Sequence, residues 1–147
     1  MGGGPHGYDK AKNVNGRKRH LLVDTLGLLV RVLVHPANVQ ERAGARLLLQ
    51  PQPQPQPNSW QLMWVDGGYS GPDFAAWVQE QCGCRVEVVC KDPQQQGFVP
   101  LPRRWVVERT FAWLGKCRRL SKDYEQNPHH SETWIRLAMI HLMLRRL

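Results

Sequence analysis

Acidic residues are scarce in this chain: 12 Asp and Glu stand against 20 Lys and Arg, leaving a net charge of +8 over 147 residues. Uninterrupted apolar runs are lacking as well, because the longer ones carry Arg31, Arg136 and His141 inside them, which disfavours a membrane span. The opening Met-Gly-Gly-Gly-Pro-His-Gly-Tyr has neither the basic start nor the apolar run of a secretory signal. His6 stands where a myristoylation signal after Gly2 has Ser or Thr. A soluble, intracellular protein is expected. The 4 cysteines, Cys82, Cys84, Cys90 and Cys117, do not form paired C-x-x-C or Cys/His sets at zinc spacing, so they read as reduced, mostly buried thiols. Cys82-Gly83-Cys84 is explained by a helix end followed by a strand.

What is present suits one domain of ordinary size, with 41% hydrophobic residues available for a core. The excess of cations points to a polyanionic partner, since Lys and Arg gain from releasing the counterions held around phosphates. Gly2 to Gly7 reads as a flexible lead-in, before which a segment is expected to be missing. The basic run Arg17-Lys18-Arg19-His20, the apolar Leu21-Leu22-Val23, the turn Asp24 to Gly27 and the apolar run Leu28 to Val34 predict a β-hairpin. A helix is predicted over Gln40 to Leu49. Pro at alternate positions makes Pro51 to Pro57 a linker or loop tip, since Pro supplies no ladder donor.

Gln61 to Asp66 reads as a short buried strand ending at an acid. Ser70-Gly71-Pro72-Asp73 offers a helix start, with Ser70 as a cap and Gly83 as the stop. Arg85 to Cys90 is the next strand, Asp92 to Pro102 a loop, Arg104 to about Lys122 a helix, and Ser131 to the C-terminus another. Strands, then a βαβ unit, then helices predict an α/β fold with mixed strand directions.

Asp66, at a strand end beside Gly67 and Gly68, occupies the kind of position where open α/β sheets place ligand-contacting groups, although for one acid taken alone an Asx-turn that caps the strand exit is the favoured reading. On a helix continued to Lys122, Arg104, Glu108, Gly115, Arg119 and Lys122 share one stripe. Opposite them lie Val106, Val107, Phe111, Trp113, Leu114, Cys117 and Leu120, an apolar face. An i, i+4 ion pair from Arg104 to Glu108 is the bland reading of that acid. The excess of Arg104, Arg109, Lys116, Arg118, Arg119 and Lys122 over a single carboxylate suits a phosphate backbone lying along the stripe.

These residues carry a resemblance. Gly4-Pro5-His6-Gly7-Tyr8-Asp9, Gly16 through Thr25, Asp66-Gly67-Gly68-Tyr69 and Arg104 through Leu114 are similar, in order, to the catalytic region of DDE insertion-sequence transposases of the insertion-sequence-four/five superfamily. The resemblance implies a ribonuclease-H-like mixed sheet flanked by helices. It also implies three carboxylates that hold two Mg²⁺ or Mn²⁺ ions for cleavage and joining of DNA phosphodiester bonds in a bacterial cytoplasm. Hard oxygen donors suit those ions.

By matching motifs, Asp66 corresponds to the second acid and Glu108 to the third, both as metal ligands, and Arg104 contacts DNA or orients Glu108. Arg17, Lys18, Arg19, Arg109, Lys116, Arg118, Arg119 and Lys122 complete the expected DNA-binding set. The family's Tyr before that Arg and its Lys after that Glu are replaced here by Leu101 and Gly115, with Lys116 one place further on. The family's first Asp precedes the Gly4–Asp9 segment on an opening strand. The expectation is therefore a C-terminal part of the catalytic domain that lacks its first strand and is inactive alone. It would associate with an N-terminal part or with further copies. The alternative is a non-catalytic DNA-binding or inhibitory fragment.

Overall fold

The computed structural model describes residues 4–51, 60–90, 93–94, 96–97 and 103–147, with the side chain of Arg104 outside that description. Pro51 apart, the Pro/Gln segment lies outside the described residues, as does most of the Asp92 to Pro102 loop. The chain divides into two compact units, Met1–Gln40 with Val106–Leu147, and Glu41–Trp105.

In the first unit, β1 (Gly7–Asp9), β2 (Val14–Val23) and β3 (Leu29–Pro36) form an antiparallel sheet in that order. The predicted hairpin is present, with Leu21 opposite Val32 and Arg19 opposite Val34. Asp24 builds its turn by accepting the backbone N–H of Leu26 at 2.9 Å and of Leu28 at 2.8 Å. Gly27 has φ 81°, and a Cβ there would meet the Thr110 hydroxyl at 2.9 Å, so the turn needs glycine for both reasons. Thr110, fully buried, donates to the Gly27 carbonyl at 2.6 Å and ties helix α3 (Arg104–Gly115) to the hairpin.

Helix α4 (Pro128–Leu144) packs on β3, starting three residues earlier than Ser131 because Asn127 caps it by accepting the His129 N–H at 3.0 Å. Val32, Val34, Leu114, Leu120 and Ile135 form the core of this unit, with Leu21 and Leu29 packed against them. Full burial of each such side chain contributes about 1.5–3 kcal/mol.

The second unit holds α1 (Glu41–Leu49), the parallel pair β4 (Leu62–Val65) and β5 (Arg85–Val88), and α2 (Pro72–Cys82) between them in sequence. Phe74 and Val78 of α2 are buried, together with Leu48, Leu49 and Cys84. Gly83 closes α2 at φ 66°, as predicted, but Gly71 rather than Ser70 occupies the N-cap and makes no side-chain cap bond. Both expected strand directions occur, antiparallel in one sheet and parallel in the other.

Two further expectations need correction. The helix from Arg104 ends at Gly115: the N–H of Lys116 and of Cys117 bond to Trp113 and Leu114 carbonyls, Cys117 is extended, and Arg118–Leu120 is a separate 3-10 turn. Among the thiols only Cys84 is buried, while Cys82 and Cys117 are half-buried and Cys90 is exposed, and none of the four is in a disulfide. No helix among the described residues is long and apolar enough to cross a membrane.

Candidate active site

Asp66 follows β4 directly and is exposed, because the strand ends there and the chain turns through Gly67–Tyr69. One carboxylate oxygen accepts the Gly68 N–H at 2.9 Å, so the Asx-type cap anticipated for a strand exit is real. Next to it stands Glu41, the first residue of α1: its carboxylate accepts the Tyr69 hydroxyl at 3.4 Å, and its side-chain carbons line the space beside Gly68. The Tyr69 hydroxyl is pushed well above its ordinary range by burial, and then by the negative charges of Glu41 and Asp66. Two carboxylates thus stand near one half-buried phenol. Sequence reasoning missed Glu41, since nothing local in Gln40 to Leu49 distinguishes an acid in the first turn of a helix from one aimed at a neighbouring loop.

Glu108 lies in the middle of α3 and is exposed. It does not share a continuous stripe with Arg119 and Lys122, because the helix stops at Gly115. Its helix-face neighbours at i−3 and i+3 are Trp105, 47% exposed, and Phe111, 40% exposed, so Phe111 leaves the buried face assigned to it. Asp66 belongs to the Glu41–Trp105 unit and Glu108 to the other.

The basic residues divide sharply. Arg17 has a side chain only 2% exposed, and its guanidinium donates to the carbonyls of Pro5, Glu125 and Gln126 and to the Asp123 carboxylate at 2.6–3.1 Å. Lys18 bridges Asp9 at 3.3 Å and donates to the Val39 carbonyl at 3.2 Å. Arg19 donates to the Leu120 carbonyl at 3.2 Å. Arg109 donates to the Leu26 carbonyl at 2.7 Å and lies over the Trp113 ring. Arg119 is paired with Glu125 and sits near the faces of Tyr124 and Trp134. Lys116, Arg118 and Lys122 are exposed in the stretch just after α3. Arg104 starts α3.

Asp9 and Asp24 already have structural roles. Asp9 is buried, and burial alone would raise its pKa. The N–H of Lys12, the Lys18 ammonium and the N–H of Ala11 outweigh that and hold it below the ordinary carboxylate range. Asp24 holds the hairpin turn. Among the described residues no cluster of three or more His, Cys, Asp or Glu is placed to hold a metal ion. In donor chemistry the exposed carboxylates Asp66 and Glu108 fit a hard divalent cation, and in number they are too few to enclose one.

The molecule is therefore a basic, mixed α/β protein with exposed acids at a strand end and on a helix, and exposed cations following that helix. A family model described as "Transposase DDE domain" matches residues 2–143, and the chain belongs to that family, whose function is DNA transposition. No curated protein and no solved structure matches the chain.

Proposed function

We propose that the chain is the C-terminal part of the catalytic domain of a metal-dependent insertion-sequence transposase with a ribonuclease-H-like fold. The observation that supports this reading is the family match over residues 2–143, a range that includes the Asp66 and Glu108 motifs. By their motifs, Asp66 and Glu108 would each serve as a ligand to Mg²⁺ or Mn²⁺. The ions, when bound, activate the attacking hydroxyl and stabilise the leaving oxygen of the phosphodiester. What the chain's own groups supply is negative charge at a strand end and on a helix, and cations for the DNA backbone. Two such carboxylates are one short of the three the mechanism uses. Asp9 and Asp24 are not counted here, because Asp9 is buried in an ion pair with Lys18 and Asp24 belongs to the hairpin turn rather than to a strand. The chain alone is therefore inactive, and a segment bearing the further acid completes it.

DNA contact is assigned to Lys116, Arg118 and Lys122, and to Arg104 by its motif. Arg17, Lys18, Arg19 and Arg109 have structural partners instead. The surplus of exposed cations also favours the second reading, a DNA-binding fragment without catalysis. Binding to a random-sequence duplex should weaken steeply between low and physiological salt. Each phosphate contact contributes roughly 0.9 to the log–log slope. Replacing Lys116, Arg118 and Lys122 together by Ala should flatten that slope. A slope unchanged by the triple substitution would refute the assignment, and no binding at low salt would refute DNA contact by this chain.

A further inference from the structure

Asp66 sits on a turn with little stiffness of its own. Between the end of β4 at Val65 and Tyr69 the chain holds only Asp66 and two glycines, and glycine loses more conformational freedom on ordering than any other residue. Three bonds close the turn from within. The Asp66 carboxylate accepts the Gly68 N–H at 2.9 Å, the Asp66 carbonyl accepts the Tyr69 N–H at 3.1 Å, and the Gly67 carbonyl accepts the Ser70 N–H at 3.2 Å. All three are local, and the carboxylate bond is exposed. Exposed local bonds of this kind open at low free-energy cost unless something else anchors the segment.

That anchor is the first turn of α1. The Tyr69 hydroxyl donates to the Glu41 carboxylate at 3.4 Å, and the Arg42 guanidinium donates to the Ser70 carbonyl, also at 3.4 Å. The half-buried Tyr69 ring lies 6.1 Å, centroid to centroid, from that of Phe74, which is 1% exposed. The Glu41 Cγ stands 3.6 Å from where a Cβ on Gly68 would be, so Gly68 lies against the same side chain. Helix α1 thus meets three consecutive residues, Gly68, Tyr69 and Ser70, just after the acid.

We propose, on the reading of Asp66 as a metal ligand, that Glu41 and Tyr69 are positioning residues whose mutual hydrogen bond holds the Asp66 turn in the form that presents its carboxylate to a divalent cation. Groups that orient a metal's ligands affect its affinity nearly as much as the ligands do. Glu41 acts here as an acceptor for the Tyr69 hydroxyl and not as a ligand. The two roles differ in chemistry: Gln at position 41 keeps an acceptor oxygen and loses the negative charge a ligand would supply.

The test is Mn²⁺ titration of the full chain, read by NMR as paramagnetic broadening of the Gly67 and Gly68 amide signals. Asp66→Asn should remove that broadening. Tyr69→Phe keeps the ring beside Phe74 and loses the donor; it should weaken the apparent Mn²⁺ affinity on the order of tenfold and speed Gly68 amide exchange in the absence of metal. Glu41→Ala should do the same and add nothing in the Tyr69→Phe background, as expected of two residues that act through one bond. Glu41→Gln should keep an affinity close to that of the unsubstituted chain. If Tyr69→Phe and Glu41→Ala lower only the melting temperature, with Gly68 exchange and Mn²⁺ affinity unchanged, the proposal is overturned. Affinity lost equally in Glu41→Gln and Glu41→Ala but kept in Tyr69→Phe would make Glu41 a ligand and overturn it too. Broadening that is absent from the unsubstituted chain, or that survives Asp66→Asn, would instead remove the reading of Asp66 as a metal ligand, and the positioning role with it.

Discussion

The guanidinium of Arg17 reaches three carbonyls and one carboxylate, with Asp123 in turn accepting the Ser131 hydroxyl at 2.6 Å and the Glu125 N–H at 3.2 Å. In the sequence this arginine is indistinguishable from its neighbours in a basic run. What separates it from a DNA contact is a set of partners more than a hundred positions away, which no local pattern reveals. Removing one member of a buried ion pair costs about 3–5 kcal/mol because the other charge is left without its partner. Arg17→Ala should therefore lower the melting temperature sharply, yet leave the salt slope of DNA binding intact; a flattened slope in a stably folded variant would return Arg17 to the DNA surface.

Burial alone would push the Asp123 carboxyl up, but the Ser131 hydroxyl, the Glu125 N–H and the Arg17 guanidinium together hold it below the ordinary range. A depressed folded pKa adds stability that is fully present above the unfolded value of about 4 and is lost as pH falls through the lowered folded value. Melting followed from neutral to acid pH should show this loss, and Asp123→Asn should be less stable at neutral pH and less sensitive to acid. Equal acid sensitivity in the variant would place the effect elsewhere, Asp9 being the other aspartate held low.

Among the elements, the hairpin, α1, β4, α2 and β5 were legible, because hydrophobic runs of strand or helix length alternate with Gly, Pro and Asp at the breaks. β1 was not, since Gly7-Tyr8-Asp9 has no periodicity and exists as a strand only by pairing with Val14–Gly16. The stop at Gly115 was missed because the apolar spacing runs on through Cys117 and Leu120, which reach the same core from a 3-10 turn. Glu132 was also opaque: on paper it is a surface acid in the first half of a helix, and in the fold it closes the outer edge of β3. Glu132→Leu should leave the Val34 N–H without an acceptor at a cost of about 1–3 kcal/mol. Faster amide exchange at Val34 would accompany it, whereas unchanged exchange and stability would show that the carboxylate is dispensable there.

At the scale of the whole molecule, the charge balance and the order of the motifs led to the family before any geometry did, and the family match agrees. Asp66 and Glu108 are candidates on the strength of local motifs alone. Glu41 beside Asp66, and the division between anchored and exposed cations, arise only from tertiary packing. As proposed, Asp66 and Glu108 would hold metal in a transposase that needs one more carboxylate.

The most direct measurement is Mg²⁺-dependent cleavage of transposon-end DNA by the chain alone, and by the chain joined to an upstream segment that supplies a strand-borne Asp. The account predicts no cleavage in the first case and cleavage in the second. That activity should be lost again in Asp66→Asn and in Glu108→Gln, each of which keeps the shape of the side chain while removing a negative ligand. Restored cleavage that survives either substitution would contradict it, as would cleavage by the chain alone.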